Sequence, residues 1–405
     1  MTDVLIVGAG PAGAVAGAVL ARAGVRVRIV DRAAFPRDKL CGDTVNPGTL
    51  AILRRLGLAS CIEDRGLRVE GMRLTGENGV VVEARYPAAL TGRAIVRRDV
   101  DWALLLGAVA AGAEFESPVS VRRAIVDGRG NHFVRGIVTS APNRGEHEVR
   151  ARVTIAADGR RSTIAFGLGL ARHPERPRRW AIGGYFENVS GLSASVGEMH
   201  VRSGRYIGVA AVPGGIANVC LVKPFRPADA PLGDPARTLD AELARDPILA
   251  ERFTAARLVQ PPVVLGPLAV DAQAGGIDGL LVAGDAAGFV DPITGDGLRF
   301  AIRGGELAAV AALEALEHGW DGVHARLAAR RQREFSGKKR FNRAIRSLVE
   351  SARATRAAAF GARVVPSVFR AIIAKAGDCD LALDLQQATR GPRFPAVDCR
   401  LTTVD

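Results

Sequence analysis

Six residues near the start constrain this chain more than any other segment: Gly8-Ala9-Gly10-Pro11-Ala12-Gly13. They follow Val4 to Val7, a short apolar run of the kind that forms a strand buried in a parallel sheet. An alanine-rich stretch from Pro11 to Ala23 then predicts a helix with Gly24 as its stop. VRVRIV, from Val25 to Val30, leads into Asp31 and predicts a second strand. Together these make a βαβ unit about 30 residues long. In such a unit Gly8 permits the tight turn, Gly10 lets the backbone approach a pyrophosphate, and Gly13 lets the helix pack on the strand. Pro11 and Ala12 open the helix, whose free N–H groups and partial positive charge favour phosphate. Asp31 stands where a carboxylate can accept ribose hydroxyls, with Arg32 beside it in the expected cofactor-binding set.

The rest of the composition sets wide bounds. The 405 residues suffice for one large or two moderate domains, and 48% hydrophobic with 24% charged residues is ordinary for a globular protein. No run approaches the roughly 18 to 20 apolar residues of a membrane-spanning helix. Asp3 interrupts the N-terminus at once, so no signal peptide is expected. The five cysteines, Cys41, Cys61, Cys220, Cys379 and Cys399, are scattered without a CxxC pair. That suggests neither a disulfide framework nor a zinc site, and a reducing cytoplasm is the simplest compartment. The six histidines show no metal-binding spacing, so no metal is expected. The formal charge of +13 reads either as an arginine-rich solvated surface or as attraction to anionic lipid or an acidic substrate. With 5% aromatic residues and no recognition module, nucleic acid is not an expected partner.

The pattern along the chain predicts a discontinuous dinucleotide domain over 1–75, 96–165 and 275–330. Strand-like runs at Tyr206–Val212 and Ala217–Val222, separated by Gly/Pro turns, predict an inserted antiparallel sheet over 76–95 and 166–274. Residues 331–405 are helical in pattern. Their basic residues, including Lys338, Lys339, Arg340, Arg343, Arg346, Arg353 and Arg356, face an apolar set of Leu348, Phe360, Val364, Val365, Val368 and Phe369. This fits either a helical layer packed on the dinucleotide domain or peripheral contact with the inner face of a membrane.

Several later segments narrow the cofactor. Arg97 opens VRRDVDWALL, Asp158-Gly159 sits in ADGRRS, and Gly284-Asp285 sits in LVAGDAAG. The carboxylate of Asp285 ends a buried strand, where a ligand hydroxyl or helix N–H groups would satisfy it. FPRDKLCGD, from Phe35 to Asp43, and the stretch from Gly284 to Ala309 complete the set. Together these segments resemble the geranylgeranyl reductase family of FAD-dependent oxidoreductases, whose relatives include reductases of menaquinone and isoprenoid side chains. The resemblance covers about the first 165 residues and then roughly 275 to 330. It implies an α/β fold: a Rossmann-like FAD-binding domain of the glutathione-reductase-like, p-hydroxybenzoate-hydroxylase-type plan, with an inserted antiparallel-sheet substrate domain and C-terminal helices. It implies FAD as cofactor, held by Gly8 through Gly13, Asp31, Arg32, Arg97, Asp158, Gly159, Gly284 and Asp285. Lys39, Cys41 and Gly42 would lie by the isoalloxazine ring, and Pro292, Gly295, Asp296 and Gly297 would wrap its pyrimidine end. Relatives that reduce prenyl chains carry a Tyr-x-Trp-x-Phe-Pro stretch along the substrate. Here the run from Tyr206 to Pro213 keeps only the Tyr and Pro, so these two are the candidate substrate residues on an altered wall.

Three activities remain open. One is a reductase that saturates carbon–carbon bonds of an apolar, isoprenoid-like molecule by hydride transfer, with NAD(P)H or ferredoxin as the electron source. Another is an FAD-dependent monooxygenase acting on an aromatic or lipid-like compound, with halogenation as a weaker variant. The third is a non-catalytic flavin or electron carrier. Fold alone does not separate them. Cys41 either donates a proton at the ring or packs there as a small buried residue.

Overall fold

The predicted βαβ unit forms the middle of the first of two large sheets in the computed structural model, which describes residues 2–127, 133–141, 144–176, 179–224, 234–272 and 274–388. Strand β1 (Thr2–Val7) runs into helix α1 (Pro11–Arg22), which returns to β2 (Val27–Val30). Strands β3 (Gly71–Thr75) and β4 (Val81–Arg85) leave this layer for the second sheet. Helix α2 (Arg97–Ala110) brings the chain back to β5 (Glu114–Glu116) and the long β6 (Arg144–Ala156). After the second sheet's β7 (Arg179–Glu187), β8 (Val196–Arg202), β9 (Arg205–Val212) and β10 (Ile216–Pro224), the chain returns again at β11 (Leu280–Val282). Helices α3 (Gly297–His318), α4 (Val323–Glu350), α5 (Ala352–Val364), α6 (Pro366–Ala376) and α7 (Cys379–Ala388) follow.

The first sheet has the parallel order β11-β6-β1-β2-β5. Its register sets Val4 beside both Val153 and Val27, so the ends of these strands align at Val7, Ala156 and Val30. That alignment creates the edge from which the site is built, as expected at the C-terminal ends of parallel strands. Seven of the twelve residues of α1 are alanine or glycine, PAGAVAGAVLAR, and this small-residue helix lies buried between β1, α2 and α3.

The second sheet runs β7-β10-β9-β8-β3-β4. Neighbours from β7 to β8 are antiparallel, as the alternating pattern predicts, whereas β8 pairs parallel with β3, Val196 beside Gly71. Residues 71–75 therefore belong to the second sheet and not to the dinucleotide segment drawn from sequence. Their Met72 and Leu74 help line an apolar cavity under that sheet, which a sequence pattern of five residues does not reveal.

The C-terminal helices form a layer against both sheets. Leu385 packs on the first core, while Ile373, Cys379 and Ala382 pack against Ala51, Val69 and Tyr86. The basic tail is not uniformly solvated: Lys338 is buried between Asp296 and Asp378, at 3.0 and 3.1 Å. The cysteines also depart from expectation, since Cys61 is disulfide-bonded while Cys41, Cys220 and Cys379 are free. No helix among the described residues is long and apolar enough to cross a membrane, and those residues hold no metal-ligand cluster.

Candidate active site

The phosphate end is built on backbone. Gly8 has φ +99°, and a Cβ there would lie 2.6 Å from the carbonyl oxygen of Ala157, just past the end of β6. A Cβ on Gly13 would lie 1.8 Å from the carbonyl of Gly8, so the helix can start this close to the strand only with hydrogen at that position. Gly10 caps α1 and Pro11 is its first residue, leaving the N-terminal N–H groups directed at the cleft. Asp31 has a structural task first: its carboxylate accepts from Ala9 N at 2.8 Å and Ala33 N at 2.9 Å, which ties the glycine loop to the end of β2. Each oxygen keeps a further lone pair for a ribose hydroxyl. Arg32 beside it is exposed.

Two carboxylates converge from β6 and β11. Asp158 accepts from Thr163 N at 2.8 Å through Oδ2, while its buried Oδ1 has no partner among the described residues. Burial raises its pKa. Ser162 behind it caps the next helix by accepting from Ala165 N. Gly284 and Asp285 open a short turn after β11, and the half-buried Asp285 carboxylate has no side-chain hydrogen bond among the described residues. A buried oxygen without a donor is costly unless a ligand supplies one. These carboxylates can accept from hydroxyls and the N–H groups of the glycine turn can donate to phosphates, the combination a hydroxyl-rich dinucleotide requires.

At the ring end the segment from Lys39 to Asp43 crosses between the two sheets. Lys39 Nζ lies 3.9 Å from where a Cβ of Gly159 would be, and burial lowers its pKa against the pull of Asp285 and Asp101. Gly42 is exposed with open space around it. Cys41 is half-buried: burial pushes its thiol up, while the Arg97 guanidinium and the Asp43 N–H favour the thiolate less strongly. Arg97 binds Asp101 through Nε at 2.6 Å, and Arg37 reaches the same carboxylate at 3.2 Å. Asp43, which the sequence reading passed over as a site residue, is fully buried and receives Tyr185 and Asn218 from the second sheet. Its signal was an acidic residue placed after Cys-Gly in a loop of this kind, but its partners lie more than 140 residues away.

The turn Pro292-Ile-Thr-Gly295-Asp-Gly297 closes the cleft, with Gly295 at φ +70° and its N–H donating to Pro292 O at 2.8 Å. Helix α3 starts at Gly297. The Asp296 side chain, expected at the cofactor, points instead into the protein, where it pairs with Lys338 and accepts from Thr294. Burial raises it to about 6 even so.

An apolar cavity of about 200 Å³ begins at this turn. Thr44, Ile293 and Gly295 line it at the turn; Met72, Leu74 and Val82 come from β3 and β4; Phe341, Ile345, Leu348 and Phe369 come from α4 and α6. Tyr206 and Pro213, the two expected substrate residues, do not line it. Tyr206 is buried behind the wall, donating to Asp291 at 2.6 Å with Arg179 over its ring, and Pro213 sits in the β9–β10 turn. The wall was signalled elsewhere, by Phe341, Ile345, Leu348 and Val349 at the i, i+4, i+7, i+8 spacing of one helix face.

The FAD binding domain family matches residues 1–339. Menaquinone reductase of Mycolicibacterium smegmatis is 34% identical over 326 residues, which cover 76% of this chain and 75% of that protein. The chain belongs to the geranylgeranyl reductase family. Digeranylgeranylglycerophospholipid reductase 1 of Methanopyrus kandleri is similar at 31% identity, over 78% of this chain and 81% of its own. Among solved structures, a flavoprotein/dehydrogenase from Cytophaga hutchinsonii superposes with a TM-score of 0.79 at 22% identity, covering 96% of this chain and 100% of that one. This likeness shows the fold. The protein is thus an FAD-dependent oxidoreductase with the monooxygenase-like plan of a parallel cofactor sheet and a second, mainly antiparallel one. When bound, FAD supplies two-electron chemistry at its ring. The glycine loop, Asp31, Asp158 and Asp285 would hold its phosphates and hydroxyls, and the 39–43 and 292–297 segments would flank its ring.

Proposed function

We propose that this protein saturates carbon–carbon double bonds of an isoprenoid-like chain, with the hydride supplied by reduced FAD. The observation that carries the reading is an apolar cavity lined in part by Thr294 and Gly295, in the turn assigned to the flavin ring. Its remaining wall is mostly methionine, leucine, valine, isoleucine and phenylalanine, with Asn46, Thr75, Tyr86 and Thr355 among its polar members, and this mainly apolar surface suits a hydrocarbon. The named activities of the bacterial and archaeal relatives support the same class. The chain's own residues would exclude water along the cavity and orient the double bond at the 39–43 segment.

Reducing equivalents come from NAD(P)H or a ferredoxin, and the rate of flavin bleaching with each donor distinguishes them. The protein works at the cytoplasmic face of a membrane, against which α5 and α6 lie. Phe360 (71% exposed), Val364, Val365 and Val368 present apolar surface there, beside exposed Arg353, Arg356 and Arg370. The deciding experiment is anaerobic turnover of the reduced enzyme with a panel of prenylated quinones and aromatic compounds, read by mass spectrometry. A product heavier by two hydrogens is expected. Incorporation of labelled oxygen under air would replace this reading with a monooxygenase.

A further inference from the structure

Asp43 has φ +51°, a left-handed backbone conformation that residues other than glycine seldom adopt and that clusters at functional sites. Its carboxyl is 1% exposed and meets donors from three elements. Arg97 N, at the start of α2, donates to Oδ1 at 2.9 Å. Tyr185 Oη, from β7, donates to Oδ2 at 2.7 Å, and Asn218 Nδ2, from β10, donates to the same oxygen at 2.9 Å. The titratable and charged groups around it are Tyr185, the Arg97 guanidinium, Cys41 and Cys220. Burial outweighs the donors and raises the carboxyl to about 7. When the Tyr185 hydroxyl turns its own hydrogen away, Oδ2 can carry the proton and donate it to Tyr185 Oη across the same 2.7 Å contact.

A strained, buried carboxyl, two residues from Cys41 and hydrogen-bonded to a half-buried tyrosine on the facing sheet, is the arrangement of a proton relay. We infer that Asp43 supplies, through the Tyr185 hydroxyl, the proton that completes reduction of the double bond. This rests on the reductase reading above. One alkene carbon gains a hydride from reduced flavin, and the π pair moves to its neighbour. That neighbour bonds to the Tyr185 hydroxyl proton as the O–H bond breaks. The tyrosine oxygen takes the proton of Asp43, leaving a carboxylate that is re-protonated from water. Two electrons leave the flavin, and the product gains two hydrogens. Burial holds Tyr185 protonated, so it gives up its proton only when Asp43 refills it. Cys41 is left as a packing residue at the ring.

The test uses the FAD-loaded full chain with Asp43→Asn and Tyr185→Phe. Both are expected to keep flavin content and the rate of reduction by the donor. Reoxidation of the reduced flavin by a prenylated substrate should slow about 100-fold or more in each. The wild-type pH profile of that step should show a group near 7 that is absent from Asp43→Asn. Infrared difference spectra of the wild type should contain a protonated-carboxyl band that titrates near neutral pH and is lost in Asp43→Asn. Wild-type rates in either variant, or a wild type with no such band at pH 6, would overturn the relay. If Asp43→Asn loses flavin, Tyr185→Phe decides alone, because it leaves Arg97 N and Asn218 on the carboxylate. Failure of the reductase reading is separately visible: the unmutated enzyme would then reduce no prenylated compound.

Discussion

Replacing Lys338 by methionine tests how the C-terminal helices are tied to the flavin turn. The ammonium is buried on α4, 3.0 Å from Asp296 and 3.1 Å from Asp378, and it donates to the carbonyls of Lys375 and Ala376 at 2.5 and 3.0 Å. Methionine fills similar volume but leaves the buried Asp296 carboxylate without its counter-charge, while Asp378 keeps Arg299 at 3.3 Å. Breaking a buried pair in this way costs about 3–5 kcal/mol. Unfolding entropy for a chain of 405 residues is about 0.8 kcal/mol/K, so Tm should fall by about 4–6 °C. The pH dependence has a definite sign. Asp296 is already raised to about 6, so its contribution favours the folded state at low pH and is lost as pH rises through that value. Removing Lys338 raises Asp296 further and extends the loss upward. The Tm deficit should therefore be small at pH 5 and full at pH 8. Calorimetry of both proteins across this range, with flavin content measured in parallel, checks it. A deficit independent of pH, or none at all, would refute the assignment of Lys338 as the counter-charge for Asp296.

Three other outcomes are expected. Gly13→Ala forces a Cβ to within 1.8 Å of the Gly8 carbonyl, so the purified protein should lack visible flavin absorbance; stoichiometric FAD would contradict the loop geometry. Ile345→Trp fills the cavity from α4 and should lower kcat/KM for long prenyl chains by about tenfold while sparing short ones, measured over a chain-length series. Burial raises the Cys41 thiol above its usual range, so in the flavin-free protein its alkylation rate by iodoacetamide, followed by peptide mass spectrometry, should still be climbing beyond pH 9. A plateau near pH 8 would show an activated thiolate instead.

The phosphate end was legible in the sequence because its physics is local. A strand, a glycine turn and a helix N-terminus lie within about 30 residues, and Gly8 and Gly13 are required by close backbone contacts at Ala157 and Gly8. Asp158 and Asp285 could be placed for the same reason, since each ends a strand whose apolar run is plain. The ring end was only partly legible. Asp296 reads as a cofactor residue by its position in a glycine turn, but the turn aims its carboxylate at Lys338, 42 positions on, because a buried cation was waiting there. Asp43 reads as an ordinary loop residue until Tyr185 and Asn218 arrive from another sheet. Tyr206 and Pro213 were inferred from a family pattern, yet the cavity wall is assembled mainly by β3, β4 and the C-terminal helices, and the nearby strand β8 contributes Met199 and Val201 instead. The cofactor fold was thus determined by the chain's short-range pattern. The apolar cavity and the buried partners of Asp43 were decided by tertiary packing, which alone sets which side chains lose water together and so which of them keep a proton.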